Sequence, residues 1–218
     1  MNILIDIADA RRNRRTFAAV AAALVLAGCG GSLLGPSEPP AQIYVLKPEF
    51  RAIDDAPSVA WQLSVAQPEI AQTLQTSRIA LQRGQTMDYY AGAEWTDSTP
   101  HLLQSLLVQA FEKSGRIRGV APESGGLHAD YVLETETRSF EAQYPADSGV
   151  PSVVVTIVAR LVTAGHGDVV GTFEASHGAQ AAGNNVPAVV QAFDVATSQS
   201  LEDIVSWTLK VSPRKAAS

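Results

Sequence analysis

One cysteine, Cys29, stands among the 218 residues, and only 17% of them are charged. A single cysteine excludes an internal disulfide framework and any cysteine-rich zinc or iron–sulfur centre. Basic residues are scarce too. Sixteen Lys and Arg face 22 Asp and Glu, a net charge of −6, so the chain lacks the electrostatic footprint of a nucleic-acid binder. No apolar run approaches the roughly 20 residues that a bilayer-spanning helix needs, which excludes a polytopic membrane protein. What the chain does have is 46% hydrophobic residues, enough for a core and too many for wholesale disorder. The length predicts one or two domains. No internal repeat or second domain boundary is visible.

The charge is unevenly placed. Arg11, Arg12, Arg14 and Arg15 form a cluster, and Phe17 to Ala27 follow without a charge. A basic region, a short apolar run and small residues after it make a secretory signal peptide. The order Leu26-Ala27-Gly28-Cys29 looks like a bacterial lipobox, the signal-peptidase recognition sequence of a lipoprotein. In such signals the cysteine sulfur receives a diacylglycerol, cleavage precedes it, and its new amino group takes an acyl chain such as palmitate. The rival reading of Cys29 is a small buried hydrophobe, and the flanking glycines and preceding signal count against it. Met1 to Ala10, with Asp6 and Asp9, makes the first region long; a start codon placed too early would account for that. Removing residues 1–28 takes away four Arg and two Asp, which leaves 12 basic and 20 acidic residues and a net charge of −8. Anchoring is therefore expected from acyl chains, several of which hold firmly where one would be marginal. Gly30, not the aspartate that typically retains lipoproteins in the inner membrane, follows the cysteine, so outer-membrane residence facing the periplasm is expected.

Residues 29–41 comprise the acylated cysteine and a Gly-, Ser- and Pro-rich tether without periodicity. The folded domain is expected over 42–211, with a frayed tail over 212–218. Ile43–Leu46, Trp61–Ala66, Arg78–Leu81 and Met87–Trp95 read as strands, the last with a glycine inside it. A helix follows: Asp97 or Ser98 can cap it, Pro100 fits its first turn, and Gly115 stops it. Leu103, Leu106, Leu107, Ala110 and Phe111 form its apolar stripe. Ile117–Val120 is a short strand, and Tyr131–Gln143 a long one with Glu134, Glu136 and Arg138 on one face. Val153–Val162 is the most β-prone segment. A turn at Gly165–Asp168 leads back through Val169–Ser176. The last helix spans about Val186 to Leu209, capped by Asn185, with Val189, Phe193, Ala196, Ser200, Ile204 and Trp207 on one buried stripe. Strands, helix, consecutive antiparallel strands and helix give an α+β domain. Its sheet is expected to be mainly antiparallel, with two helices packed on one face.

Catalytic chemistry is thinly supplied. His101, His128, His166 and His177 are scattered, and no pair has the spacing of a helical metal site. His166 and His177 flank a hairpin and could approach across strands, although two exposed loop-proximal histidines is the plainer reading. Glu134 and Glu136 are carboxylates on one face, a pairing that can raise a pKa for general acid work, yet alternating charge usually dresses a solvated sheet. Asp54-Asp55 reads as a polar loop. Trp61, Trp95 and Trp207 could line a lipid or sugar site, but each sits in an apolar pattern that favours the core. No nucleophile elbow or phosphate loop is present. An enzyme is not expected, and no cofactor or metal site is identified.

Several stretches in order resemble the ABC-type transport auxiliary lipoprotein family. They are Tyr44-Val45-Leu46, Leu74 to Ile79, Tyr89-Tyr90-Ala91-Gly92-Ala93-Glu94-Trp95, then Asp97, Pro100 and Leu102-Leu103. Ala129 to Leu133, Arg138-Ser139-Phe140-Glu141, Ala192-Phe193 and Trp207 continue the series. The resemblance covers nearly the whole domain behind the lipobox. It implies a non-enzymatic accessory of an ABC transporter with mammalian-cell-entry (MCE) domain subunits. Such an accessory would dock with the MCE subunit, with permease and ATPase as indirect partners, and help phospholipid move between the envelope membranes. A homo-oligomer is compatible with this role, and direct phospholipid contact is left open. A structural outer-membrane assembly lipoprotein without a part in lipid transport is the alternative.

Overall fold

The computed structural model describes residues 40–53, 55–146 and 149–211. The segments expected as signal peptide and tether, as far as residue 39 and with Cys29, lie outside the described residues, as do Asp54 and the residues from 212.

The longest strand, β7 (Tyr131–Tyr144), is the axis of the sheet. The other strands are β1 (Gln42–Tyr44), β2 (Val59–Val65), β3 (Glu69–Ile70), β4 (Arg78–Arg83), β5 (Thr86–Trp95), β6 (Ile117–Pro122), β8 (Ser152–Thr163) and β9 (Val169–Gln180). Along one edge β7 pairs antiparallel with β8, from Tyr131↔Thr163 to Gln143↔Ser152, and β8 pairs antiparallel with β9. The other edge is shared by three successive segments, all parallel to β7. β2 lies against Tyr131–Leu133, β3 against Glu136–Thr137, and β4 against Ala142–Tyr144. Beyond them the sheet forks. β6 extends β2, while β5 and then β1 extend β4.

The sheet is therefore mixed. The long β7–β8–β9 ladders are antiparallel, as expected. The short pairings along the opposite edge are parallel because β2, β3 and β4 run the same way down one strand. Helix α1 (Thr99–Ser114) packs on β6 and β2, helix α2 (Val186–Lys210) packs on β8 and β9, and the two helices touch each other. Together they form one layer over one face of the sheet.

Local chemistry explains the boundaries. Gly115 adopts φ +61° just past α1, the left-handed conformation in which a glycine closes a helix at little steric expense. Asn185 Oδ1 accepts the Ala188 N–H at 3.0 Å and caps α2, whose first turn holds Pro187. Gly92, at φ +63°, lies where the β4–β5 register slips between Ala80↔Tyr89 and Arg78↔Glu94. The glycine inside this strand is thus a bulge, which L side chains resist. A second bulge sits at Arg138, between the pairs Thr137↔Ile157 and Ser139↔Thr156. One extra residue changes the inward phase of β7 from Leu133, Thr135 and Thr137 to Phe140 and Ala142, all of them buried.

Both predicted helical stripes face the core, and Val153, Val155, Ile157, Ala159 and Leu161 of β8 meet them from the sheet. At the centre, Trp95, Phe140 and Phe193 join β5, β7 and α2. Phe193 lies edge-on to Trp95 at 5.2 Å and tilted against Phe140 at 4.8 Å. Trp207 differs from the expected stripe: it is half-buried and stacks on Phe173 of β9 with centroids 5.6 Å apart. Gly171 makes room for it, since a Cβ there would come within 3.2 Å of the indole.

Candidate functional site

After β1 the chain leaves the sheet and crosses the helix layer in extended form. Pro48 has no N–H to offer a ladder and stops the strand from continuing. Leu46 and Pro48 turn inward and are buried, Phe50 is half-buried, and Val45, Lys47, Glu49 and Arg51 point outward. Three side chains of α2 hold this strap. The Lys47 N–H donates to Asp194 Oδ1 at 2.6 Å, and the Arg51 N–H donates to Glu202 Oε1 at 2.6 Å. Between them the Ser198 hydroxyl donates to the Glu49 carbonyl, and its oxygen also lies 3.1 Å from Glu202 Oε1.

The match is one of pitch. Four residues of helix rise about 6.0 Å, and two residues of extended chain advance about 6.6 Å. Asp194, Ser198 and Glu202 therefore meet Lys47, Glu49 and Arg51 in register. Bonds from N–H groups to carboxylates are among the stronger hydrogen bonds. On the α1 side of the strap runs an open groove of about 790 Å³, floored by Leu46, Leu102 and Leu106 and rimmed by Lys47 and Lys113. The Lys113 ammonium sits 5.3 Å from the centre of the Phe50 ring. A second groove, of about 400 Å³, lies on the α2 side, beside the exposed Val195.

Burial raises the pKa of Asp194 above the ordinary carboxylate value, although the Lys47 N–H and ammonium oppose the shift; Glu49 adds to it. The folded domain thus binds a proton here more tightly than the unfolded chain does. Ionising Asp194 opposes folding. That penalty is absent below the ordinary carboxylate pKa and present in full above the raised one. Asp194→Asn keeps an oxygen for the Lys47 N–H and removes the charge. At pH 7 this variant is expected to be at least as stable as the parent, with the difference shrinking as pH falls through the carboxylate range. Urea unfolding at several pH values checks it. A loss for Asp194→Asn as large as that for Asp194→Ala at pH 7 would show that the charge, and not the acceptor oxygen, holds the strap.

The residues singled out in the sequence do not converge. Glu134 and Glu136 answer different arginines, with Glu134 3.2 Å from Arg160 and Glu136 3.3 Å from Arg138, which also meets Glu174 at 2.7 Å. His177 Nε2 lies 2.7 Å from Asp203 Oδ2 and ties β9 to α2. His166 sits in the turn between Gly165 and Gly167, while His177 stands opposite Val155, so the two do not approach across the hairpin. His101 is 3.5 Å from Asp97, one helical turn away, and the His128 carbonyl accepts from Gln62. Among the described residues no group of three or more His, Cys, Asp or Glu is placed to hold a metal. Trp95 is core, and Trp61 is half-buried, edge-on to Tyr131 at 5.2 Å. Asp55 is exposed. Leu26, Ala27, Gly28 and Cys29 lie outside the described residues. A polar chain not foreseen in the sequence links Tyr90 to Tyr144 at 2.9 Å and Tyr144 to Asn184 at 2.8 Å. Burial and the Tyr144 hydroxyl push the Tyr90 pKa up, so Tyr90 stays neutral.

A mixed sheet under one helix layer, crossed by a clamped strap, defines an α+β domain. Residues 44–205 match the model of the ABC-type transport auxiliary lipoprotein component, and the chain belongs to that family. Membership places it in the cell envelope. No helix among the described residues is long and apolar enough to cross a membrane. A crystal structure from Xanthomonas campestris, of the DUF330 family, is similar at TM-score 0.73 and 30% identity, covering 78% of this chain and 95% of that one. A second crystal structure, of an uncharacterized protein, shares the fold at TM-score 0.61 and 16% identity, covering 78% and 99%. An uncharacterized protein of Bradyrhizobium diazoefficiens is 27% identical over 154 residues, 71% of this chain. The chain spans 41% of that protein's length.

Proposed function

We propose that the protein is a lipid-anchored, periplasmic accessory component of an MCE-type ABC transport system. It acts as a non-catalytic adaptor while phospholipid moves between the envelope membranes. The observation that carries this reading is the family match over 44–205 behind the lipobox at Leu26–Cys29. Supporting it, Glu134, Glu136, Arg138, Arg160 and Glu174 of the sheet are used up in exposed ion pairs, worth about 0.2–1 kcal/mol each. The grooves beside the strap are open surfaces suited to a partner. Association is then expected with the MCE-domain subunit, and through it with permease and ATPase.

Density-gradient fractionation of the envelope followed by a pull-down with the tagged full chain tests the proposal. The protein is expected to band with outer-membrane markers, as Gly30 after Cys29 suggests, and to bring down the MCE subunit. Recovery of an outer-membrane assembly complex without that subunit would overturn the transport role in favour of a structural one. Banding with inner-membrane markers would overturn the sorting.

A further inference from the structure

Residues 42–51 are fastened unlike the rest of the domain. β1 is three residues long and, among the described residues, pairs with β5 alone, at the end of one fork of the sheet. Beyond that pairing, the Thr96 N–H donates to the Tyr44 carbonyl at 3.1 Å. From Val45 to Ser58 no described residue belongs to a helix or strand. The strap hangs on three α2 side chains, on the seating of Leu46 and Pro48 and on the half-buried Phe50. Its outward side is open: Ile43 is 55% exposed and Val45 47%. By contrast β7 and β8 exchange bonds along twelve registered pairs inside the core. Few buried contacts and peripheral hydrogen bonds mark segments that open below the global unfolding free energy.

We propose that Gln42–Arg51 is a detachable arm, which opens from β5 and from the helix layer as one unit while the rest of the domain stays folded. Opening lengthens the connection between the domain and its anchor. With the arm closed, residues 30–41 separate Cys29 from the first strand, and twelve residues span at most about 40 Å. With the arm open, the connection before β2 grows to residues 30–58, whose fully extended length is at most about 100 Å. The gain in reach rests on the anchor at Cys29; the opening itself does not. The clamp suits release: burial of Asp194 opposes the ionisation of its carboxyl, and all three clamping groups lie on one face of α2. Opening would also bare the seats of Leu46 and Pro48 between the two grooves.

Hydrogen–deuterium exchange on the full chain in detergent micelles tests the arm. The Lys47 and Arg51 amides are expected to be protected, but at least 100-fold less than amides in the middle of β8. In the double variant Asp194→Ala, Glu202→Ala, the arm amides should exchange at least tenfold faster again, with β8 unchanged within twofold. Asp194→Asn, which keeps the acceptor, should not accelerate them. Arm amides as protected as β8, arm amides with no protection at all, or a double variant that speeds arm and β8 alike would each overturn the proposal. Repeating the exchange on Cys29→Ala separates the two readings. An unchanged arm pattern leaves the opening intact even if the anchor or the transport role fails.

Discussion

Phe193→Ala is expected to lower the unfolding free energy by about 3–5 kcal/mol, the range for an aromatic truncated inside a core. Phe193 is fully buried and touches aromatic rings from two strands, Trp95 on β5 and Phe140 on β7. These strands lie in different parts of the sheet, and α2 is held against β8 along its length, so no single element can settle into the vacated space. The loss would be a large part of the roughly 5–15 kcal/mol by which domains of this size are stable. Trp207→Ala should cost less, because Trp207 is half-buried and loses one stacked partner, Phe173. Urea unfolding followed by tryptophan emission measures both, with Trp95 in van der Waals range of the substituted site. A shift below about 1 kcal/mol for Phe193→Ala would mean that the aromatic cluster does not hold α2 to the sheet.

What could be read in the sequence follows from how local each signal is. The two helices announce themselves through 3.6-residue stripes, through Asn185 and Gly115 at their ends, and through prolines in their first turns. β8 and β9 are legible because a β-prone run, a glycine turn and a returning run are adjacent in the chain. The parallel pairings of β2, β3 and β4 are not, because each is two to seven residues long and finds its partner some 60 residues away. Alternation along β7 is readable up to Arg138, where one bulged residue reverses the phase and no local signal marks it. The strap is hidden for a different reason. No periodicity marks the chain after the β-prone run Ile43–Leu46, and Asp194, Ser198 and Glu202 lie off the apolar stripe of the last helix. Only the fold brings the two rows to matching pitch. The lipobox expected at Leu26–Cys29 is a purely local pattern, and it lies outside the described residues.

Removing the anchor is expected to damage function more than removing any ionisable group on the domain. Cys29→Ala should block lipidation and normal cleavage, leaving the uncleaved signal as a weaker, abnormal anchor. A tether confers an effective concentration of order millimolar on a neighbouring partner, and a domain released from its membrane loses that advantage without losing a single contact. By comparison, His101, His128, His166, His177, Glu134 and Glu136 sit at the surface in ion pairs or loops. Changing any one of them to Ala should shift stability by less than about 1 kcal/mol. Each of these six variants should therefore complement a deletion strain under detergent stress, matched for expression, whereas Cys29→Ala should fail or fall far short. His177→Ala is the most demanding of the six, because His177 meets Asp203 at 2.7 Å and helps to hold β9 on α2. If one of the six folds, localises correctly and still scores as a null, the adaptor reading gives way to an enzyme whose chemistry that residue carries. If Cys29→Ala complements fully, acylation at Cys29 is not required, and either the uncleaved signal or the domain's own affinity brings it to its partner.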